Sequence, residues 1–309
     1  MYQIKKQTKK WTYSLARAFF LISVGYLVLY PIFYMFFKAI TPFAQSADPS
    51  IVWVPRSVSI ESFVAAFEVM NYPKALLNTL SVQVVSGLIE VLVCAFVAYG
   101  FARFNFPEKN VLFLLVILTM IVPAQAIIIP TYLNFSHLDF LGIFGLISKW
   151  VGTELRPNIL DTGLTFYLPS LFGVGLRSGL FIFIYRQFFK GLPKELEEAA
   201  QIDGASTLGT LIKIVFPSSG ASFLCVTIFS LIAHWNDFYV SVMYFPSKYP
   251  LSVELNRIGE TALSYDGFVE AGLNVKMAGC LLFILPLLIL YLFLQRKFIQ
   301  GIEQSGIVG

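Results

Sequence analysis

Acidic side chains cluster in one short segment of an otherwise apolar chain. Glu195, Glu197, Glu198 and Asp203 stand close together, whereas charged residues make up only 13% of the 309 residues. Carboxylates in such a segment need water or a partner. Because strongly apolar stretches flank the segment on both sides, we expect a short helical loop at a membrane surface, where a soluble protein can dock.

Polar groups inside the apolar stretches are the other residues with chemistry to offer. Such groups are costly in a bilayer and tend to mark transport pathways. Trp235, Asn236, Asp237 and Gln125 are therefore candidates to line such a pathway. For Asn236 and Asp237, a hydrogen bond to a neighbouring helix fits the sequence equally well.

Glu90 and His234 also lie in apolar stretches, and for both we favour an interior role. We expect Glu90 to be a buried carboxylate that is paired with another helix, or protonated beside it, with Arg177 as one partner to consider. We expect His234 to be an interior imidazole with satisfied hydrogen bonds. Pro123 and Pro130 each remove a backbone hydrogen bond, so we expect a kink or a helix end there.

The elements that must position these residues are membrane-spanning helices. Hydrophobic residues make up 57% of the chain and its mean hydropathy is +0.74. Apolar runs of roughly 20 residues are typical of spans. The sequence predicts an all-α membrane protein with a single transmembrane domain over residues 1–309. Its six predicted spans cover residues 15–38, 75–102, 110–131, 166–189, 217–243 and 273–295.

The basic residues predict the orientation of these spans. With the N-terminus in the cytoplasm, the inside segments and inner span ends hold thirteen of the 22 basic residues, and the longer outside segments hold most of the others. The positive-inside rule then places both termini and the loop 190–216 in the cytoplasm. The thirteen are Lys5, Lys6, Lys9, Lys10, Arg17, Arg103, Lys109, Arg186, Lys190, Lys194, Lys213, Arg296 and Lys297.

The acidic segment has the features of a short helix. Pro193 suits a first turn, and the glutamates near it complement the helix dipole. Gly204 is placed to end the helix with a left-handed residue. Leu196, Ala199 and Ala200 form a narrow stripe that lets another protein approach closely. By helix physics alone, a surface helix whose charges stay in water fits as well as a docking helix.

The spacing of this segment resembles the EAA loop found in membrane subunits of ATP-binding-cassette (ABC) importers. The run Glu198–Gly204 is followed by Ile214 and Pro217 in the register of that signature, and Phe216 replaces its Leu. The resemblance implies a docking helix that couples this chain to an ATPase. The implied coupling residues are Glu198, Ala199, Ala200, Asp203 and Gly204.

Other motifs extend the resemblance over roughly residues 12–309. They are N-T-L at 78–80, A-Y-G-F-A-R at 98–103, the prolines of the third predicted span, R-Q-F-F at 186–189 and W-N-D-F at 235–238. Together they are similar to type I ABC importer permeases of the carbohydrate-uptake branch. The last residues resemble the tail of the second permease of maltose-type transporters, in which a Lys usually stands where this chain has Val308.

The resemblance implies the membrane-spanning permease subunit of an ATP-driven importer for a sugar or oligosaccharide, in a bacterial or archaeal cell membrane. The implied partners are a second homologous permease, two ATPase subunits that bind ATP and Mg, an extracytoplasmic solute-binding protein and the lipid bilayer. The alternatives are the same machinery for a non-sugar solute and a stand-alone secondary transporter. A secondary transporter usually has more spans and internal repeats.

Several other classes fit the sequence poorly. It contains no G-x-x-x-x-G-K-[ST] phosphate-binding loop, so we expect ATP hydrolysis on a separate subunit. The only histidines are His137 and His234, and the three cysteines are not spaced as metal ligands. We therefore expect no catalytic residue, cofactor or metal in this chain, and no nucleic-acid partner.

Overall fold

The computed structural model describes residues 2–51, 53–139, 142–153, 156–261 and 269–306. For residues 2–10, 12, 259–261, 269–271, 294 and 296–306 it describes the backbone only. Val308, at which the tail departs from the maltose-type pattern, lies outside the described residues. Within the described ranges the chain is helical and has no strand.

Sixteen α-helices follow one another along these ranges. They are α1 (Tyr2–Ala39), α2 (Glu61–Val69), α3 (Tyr72–Asn78), α4 (Val85–Arg103), α5 (Lys109–Ile121), α6 (Ala124–Ser136), α7 (Ile143–Val151), α8 (Leu164–Leu171), α9 (Ser178–Gly191), α10 (Glu195–Ile202), α11 (Thr207–Thr210), α12 (Phe216–Ser218), α13 (Gly220–Trp235), α14 (Tyr239–Tyr244), α15 (Leu251–Thr261) and α16 (Val269–Gly306). Two π-helical stretches, Thr79–Val84 and Leu211–Val215, join α3 to α4 and α11 to α12.

Three helical segments in the described residues are long and apolar enough to cross a membrane: Tyr13–Ala39, Tyr72–Arg103 and Gly272–Phe293. Helices suit a bilayer because they satisfy their own backbone hydrogen bonds. Two bent helix pairs raise the number to five if each pair is one span. The first pair, α5 and α6, bends by 100° at Pro123, as the missing backbone N–H of proline leads us to expect. The second joins α11–α12 to α13 with a bend of 80°.

Two other predicted spans are interrupted. Residues 166–189 fall on α8 and α9, and the turn between them contains Gly173 and Arg177 with positive φ angles of 68° and 65°. Residues 217–243 divide into α12, α13 and α14. The count of six spans therefore stays a prediction.

The described residues fall into two compact units. The first combines Met1–Tyr72 with Leu255–Pro286. In it, the Nδ2 of Asn274 donates hydrogen bonds to the carbonyl oxygen of Thr41 at 3.2 Å and to the hydroxyl of Ser46 at 2.7 Å. The side chain of Asn274 is buried, so these bonds fasten α16 to the chain that follows α1.

The second unit combines Pro73–Glu254 with Leu287–Gly309 and is built around α4. This helix packs against α8, α9 and α13. Ala95 and Ala98 of α4 are fully buried, and small residues let neighbouring helices approach closely. Aromatic side chains of α9 fill the same core: Phe181, Tyr185 and Phe189.

Candidate functional site

The acidic segment forms α10, which runs over Glu195–Ile202. Pro193 lies just before the helix rather than in its first turn. At the other end Gly204 has a φ angle of 84°, and the amide of Ala205 donates to the carbonyl oxygen of Ala200 at 2.9 Å. A left-handed glycine with this backbone bond closes many helix C-termini, so the predicted helix end is confirmed.

Glu197 points into the protein and fastens α10 to the end of α4. Its Oε1 lies 2.5 Å from the Nε of Arg103, and the hydroxyl of Tyr99 donates to its Oε2 at 2.9 Å. Arg103 also donates to the carbonyl oxygen of Leu192, just before α10, at 3.0 Å. Hydrogen bonds between charged groups are stronger than neutral ones, so these contacts fix the position of α10.

Sequence reasoning missed this inward contact because it treated the three glutamates of the segment alike. A signal was available in the A-Y-G-F-A-R motif. Tyr99 and Arg103 are four residues apart, which places them on one face of α4. Buried carboxylates need partners of this kind, so the motif predicts an acidic residue packed against the end of α4.

The opposite side of α10 is exposed. We call Glu195, Glu198, Ala199 and Ile202 the outer face, since their spacing places them on one side of the helix. Ile202, the last residue of α10, is 86% exposed. The outer face therefore combines two carboxylates with apolar side chains that the described residues leave exposed.

The predicted coupling residues divide between the two sides of α10. Glu198, Ala199, Asp203 and Gly204 are exposed. Ala200 is only 6% exposed and lies on the buried side of the helix. The expected stripe of Leu196, Ala199 and Ala200 is therefore not a single exposed surface. Their role in coupling stays a prediction.

The predicted substrate-path residues lie at two breaks in the helices. Trp235 is buried at the end of α13, whereas Asn236 is exposed and its Nδ2 donates back to the carbonyl oxygen of Ile232 at 2.9 Å. Gln125 is exposed at the start of α6. In the part of the chain that the structure describes, no hydrogen bond joins Gln125 to Asn236 or Asp237. A path that these residues line together stays a prediction.

Asp237 caps the helix that follows it. Its Oδ2 accepts hydrogen bonds from the amide and the hydroxyl of Ser241, both at 2.8 Å, and its Oδ1 accepts one from the amide of Val240 at 3.4 Å. Side-chain oxygens in this position satisfy the free amides of a helix start. These bonds support a structural role for Asp237 rather than a place on the substrate path.

Glu90 and His234 meet inside the second unit. The Nε2 of His234 lies 3.5 Å from the Oε2 of Glu90, and the hydroxyl of Ser178 donates to the Oε1. As expected, Glu90 is a buried carboxylate beside another helix, and the residue that faces it is His234. Arg177 forms no ion pair with Glu90 within the described ranges.

The hydrogen bond on the far side of the imidazole fixes where the protons lie. The Nδ1 of His234 is 3.0 Å from the carbonyl oxygen of Ser230, and a carbonyl oxygen only accepts. Nδ1 therefore carries a hydrogen. Nε2 and the Oε2 of Glu90 are 3.5 Å apart and form no hydrogen bond, and one further proton on either atom would keep two lone pairs from facing each other. Whichever atom holds that proton, the pair has no net charge.

A family model described as "binding-protein-dependent transport system inner membrane component" matches residues 91–304. The chain belongs to this family. It is thus a membrane-integral permease of an ABC transport system, which works with other components of that system and is not itself an enzyme. The matched range starts within α4 and includes the whole of α10 with its anchor, Arg103.

The permease is also similar to individual proteins over nearly its full length. It is 28% identical to a probable ABC transporter permease of Pyrococcus horikoshii, covering 90% of this chain and 92% of that protein. It is 24% identical to AraQ, an arabinooligosaccharides transport permease of Halalkalibacterium halodurans, covering 97% of this chain and 96% of AraQ.

A solved structure supports the fold. The crystal structure of a bacterial ABC transporter that imports the acidic polysaccharide alginate contains a chain that matches with a TM-score of 0.68 and 20% identity, covering 93% of this permease and 96% of that chain. The predicted fold class, an all-α type I ABC importer permease, is confirmed.

Proposed function

We propose that this permease imports a carbohydrate and that the outer face of α10 docks the ATP-hydrolysing partner. The observation that carries the docking proposal is the contrast between the two sides of α10. Glu197 holds the inner side through Arg103, while Ile202 on the outer face is 86% exposed. A fixed helix whose exposed side carries both carboxylates and apolar side chains supports the docking of a protein partner there.

The proposed complex contains a second homologous permease, two ATPase subunits that hold ATP and Mg, and an extracytoplasmic solute-binding protein. Because the permease belongs to the binding-protein-dependent transport family, it works with other ABC components. The match of Glu198–Gly204 to the EAA signature supports the ATPase as the partner of α10. The exposed apolar side chains along α1 support contact with lipid.

A sugar or oligosaccharide is the proposed substrate class. The arabinooligosaccharides in the name of AraQ support it, as do the W-N-D-F and R-Q-F-F motifs of this chain. The solute-binding protein, a different chain, delivers the sugar from outside. The same machinery for a non-sugar solute is the alternative, and competition between a labelled saccharide and unlabelled solutes for uptake separates the two.

The coupling mechanism follows from the contacts of α10. Nucleotide-driven closure of the ATPase pair moves the outer face, and the Glu197–Arg103 ion pair passes that movement to α4. Because α4 packs against α8, α9 and α13, the membrane core moves with it. The transport cycle is then a switch between inward-facing and outward-facing states that nucleotide and binding protein bias.

The outer face can be tested by adding charge or bulk to it. Ile202→Asp and Ala199→Trp should reduce both copurification of the ATPase and uptake. The yield of folded permease should stay the same, because both side chains are exposed. Val58→Asp, at another exposed apolar residue, is the matched control. Normal uptake by both outer-face variants would contradict the docking role.

The proposed orientation places α10 and both termini in the cytoplasm of a bacterial or archaeal cell. Single cysteines at Gln201 and Ala47, in a chain without its native cysteines, test it, since both positions are exposed. An impermeant thiol reagent should label Ala47→Cys in sealed cells, but Gln201→Cys only after the membrane is opened. Labelling of Gln201→Cys in sealed cells would reverse the orientation.

A further inference from the structure

A cavity of about 550 Å³ opens beside the turn between α4 and α5 and the end of α9. Three basic side chains line it: Lys109, Arg186 and Lys190. We call it the basic cavity. Among its described lining residues Glu108 is the one acid, so positive charge is in excess. The transport mechanism proposed for α10 does not use this site.

Arg186 is a buried cation without a carboxylate. Its residue is only 8% exposed, and its Cζ lies 3.7 Å from the ring centroid of Phe113. Its Nε donates a long hydrogen bond of 3.4 Å to the carbonyl oxygen of Phe101. In the described ranges no acid forms an ion pair with Arg186, and its other N–H donors have no protein acceptor. Arg186 lines the open cavity, so its remaining N–H groups are accessible to an anion that enters there.

The two lysines are placed to share that anion. Lys190 is four residues after Arg186, which puts both on one face of α9. Lys109 is the first residue of α5, and its Nζ donates to the carbonyl oxygen of Phe104 at 2.6 Å, within the turn beside the cavity. Lys190 is exposed and Lys109 half-buried, so an anion can enter from the surface.

The location of the cavity indicates where the anion comes from. It lies where α4 ends, where α5 begins and where α9 ends, and in a membrane-integral chain such helix ends reach the bilayer surface. Lipid phosphates lie at that depth, and basic pockets between membrane helices bind acidic headgroups. A guanidinium also matches the oxygens of a phosphate in paired hydrogen bonds.

We propose that the basic cavity binds a phosphate group, carried by the headgroup of an anionic phospholipid, through Arg186, Lys190 and Lys109. The bound phosphate offsets the repulsion among the three cations and supplies the acceptor that Arg186 lacks. It also steadies the junction at which α9 leads towards α10.

Native mass spectrometry of the detergent-purified transport complex tests the proposal, with phosphatidylglycerol and phosphatidylcholine as probes. The wild-type complex should retain phosphatidylglycerol in preference to phosphatidylcholine. Arg186→Gln and Lys190→Gln should each weaken that retention by about fivefold, because each removes one charge at the membrane surface. Arg186→Lys should retain more lipid than Arg186→Gln. Lys149→Gln, at an exposed lysine of α7, is the matched control and should bind like wild type.

A parallel titration with inorganic phosphate identifies the source of the phosphate group. Phosphate binding that depends on Arg186, without preference between the two lipids, would keep the anion site and overturn the lipid as its source. Equal phosphatidylglycerol retention by wild type, Arg186→Gln and Lys190→Gln would overturn the site itself. Because Lys190 is exposed, its variant keeps the test decisive if Arg186→Gln fails to fold.

Discussion

Two buried glutamates take part in contacts between α4 and its neighbours, and their partners differ in kind. Glu197 of α10 meets Arg103 at the end of α4, whereas Glu90 in the middle of α4 meets His234. An arginine stays charged in proteins, so Glu197 is an anion in an ion pair. A histidine can be neutral, so one proton on either the carboxyl of Glu90 or the Nε2 of His234 leaves this pair without net charge.

This difference follows the surroundings of the two sites. The ion pair lies at the end of a membrane-spanning segment, close to water, and it ties a surface loop to that segment. The Glu90–His234 pair is fully buried in the membrane core, where a net charge costs most. The same residue type thus forms an ion pair near the surface and faces an uncharged or oppositely charged partner in the interior, where the pair as a whole has no net charge.

Breaking the ion pair should have the largest effect. Glu197→Gln leaves the guanidinium of Arg103 without its carboxylate, and removing one partner of a buried pair costs about 3–5 kcal/mol. We expect a lower thermal unfolding temperature of the purified permease and loss of coupled transport. Glu198→Gln, on the exposed side of the same helix, should leave the unfolding temperature unchanged.

The double variant sharpens this prediction. Arg103→Leu with Glu197→Leu removes both charges, so it should cost less than Glu197→Gln alone. Tyr99 then loses its acceptor, so some destabilisation remains. If the single and double variants unfold at the temperature of the wild type, the ion pair does not hold α10.

Substitution of Glu90 should destabilise the permease less than loss of the ion pair does, and its effect should depend on the new side chain. Glu90→Leu leaves the Nε2 of His234 and the hydroxyl of Ser178 without a partner, at a cost of about 1–3 kcal/mol. Glu90→Gln should be close to wild type, because its amide can donate to Nε2 and its carbonyl can accept from Ser178. Thermal unfolding of both variants measures the contrast. Equal destabilisation by Leu and Gln would refute a polar contact between Glu90 and His234.

Substitution of Asp237 should have a smaller effect on stability. It also distinguishes a helix-capping role from a place on the substrate path. Asp237→Ala removes the acceptor for the first amides of α14 and should cost about 1 kcal/mol, whereas Asp237→Asn keeps an oxygen there. If the residue only caps the helix, neither variant should change the preference between two competing saccharides in uptake assays. A changed preference in Asp237→Asn would instead support a place on the substrate path.

Removing the charge of Asp161, which lies outside the predicted spans, should have the smallest effect on stability. Partial burial raises its pKa, but hydrogen bonds from the hydroxyl and amide of Ser247 and from the amide of Lys248 lower it, leaving it below its ordinary value. Its stabilisation is therefore present above the unfolded pKa of about 3.9 and is lost as pH falls through the folded pKa. The residue is accessible to water, so we expect less than about 1 kcal/mol.

The pH dependence of unfolding checks this prediction. Asp161→Asn should be slightly less stable than wild type near neutral pH, and the two should converge as the pH falls below the folded pKa. Asparagine also tolerates the positive φ angle of 61° at this position, so the change isolates the charge. A constant difference between the two proteins at every pH would exclude the carboxylate as its cause.

The fold class was predictable because the bilayer leaves few options for a chain this apolar. Long apolar runs with few charges predicted the membrane-spanning parts of α1, of the α3–α4 segment and of α16, and Pro123 marked the break between α5 and α6. Residues 166–189 show the limit of that reasoning. Their composition suits one span, but the turn at Gly173 and Arg177 divides them into two helices, and hydropathy does not register a backbone turn.

By itself the sequence determined the environment, the helical class, the family resemblance and the helix end at Gly204. These depend on local composition and on spacing within a few turns. Only the tertiary structure decided that Glu197 faces Arg103, that Ala200 lies on the buried side of α10, and that His234 faces Glu90. Those choices depend on how α4, α9, α10 and α13 are rotated about their own axes. That rotation is set by packing between residues far apart in the chain, which no local pattern contains.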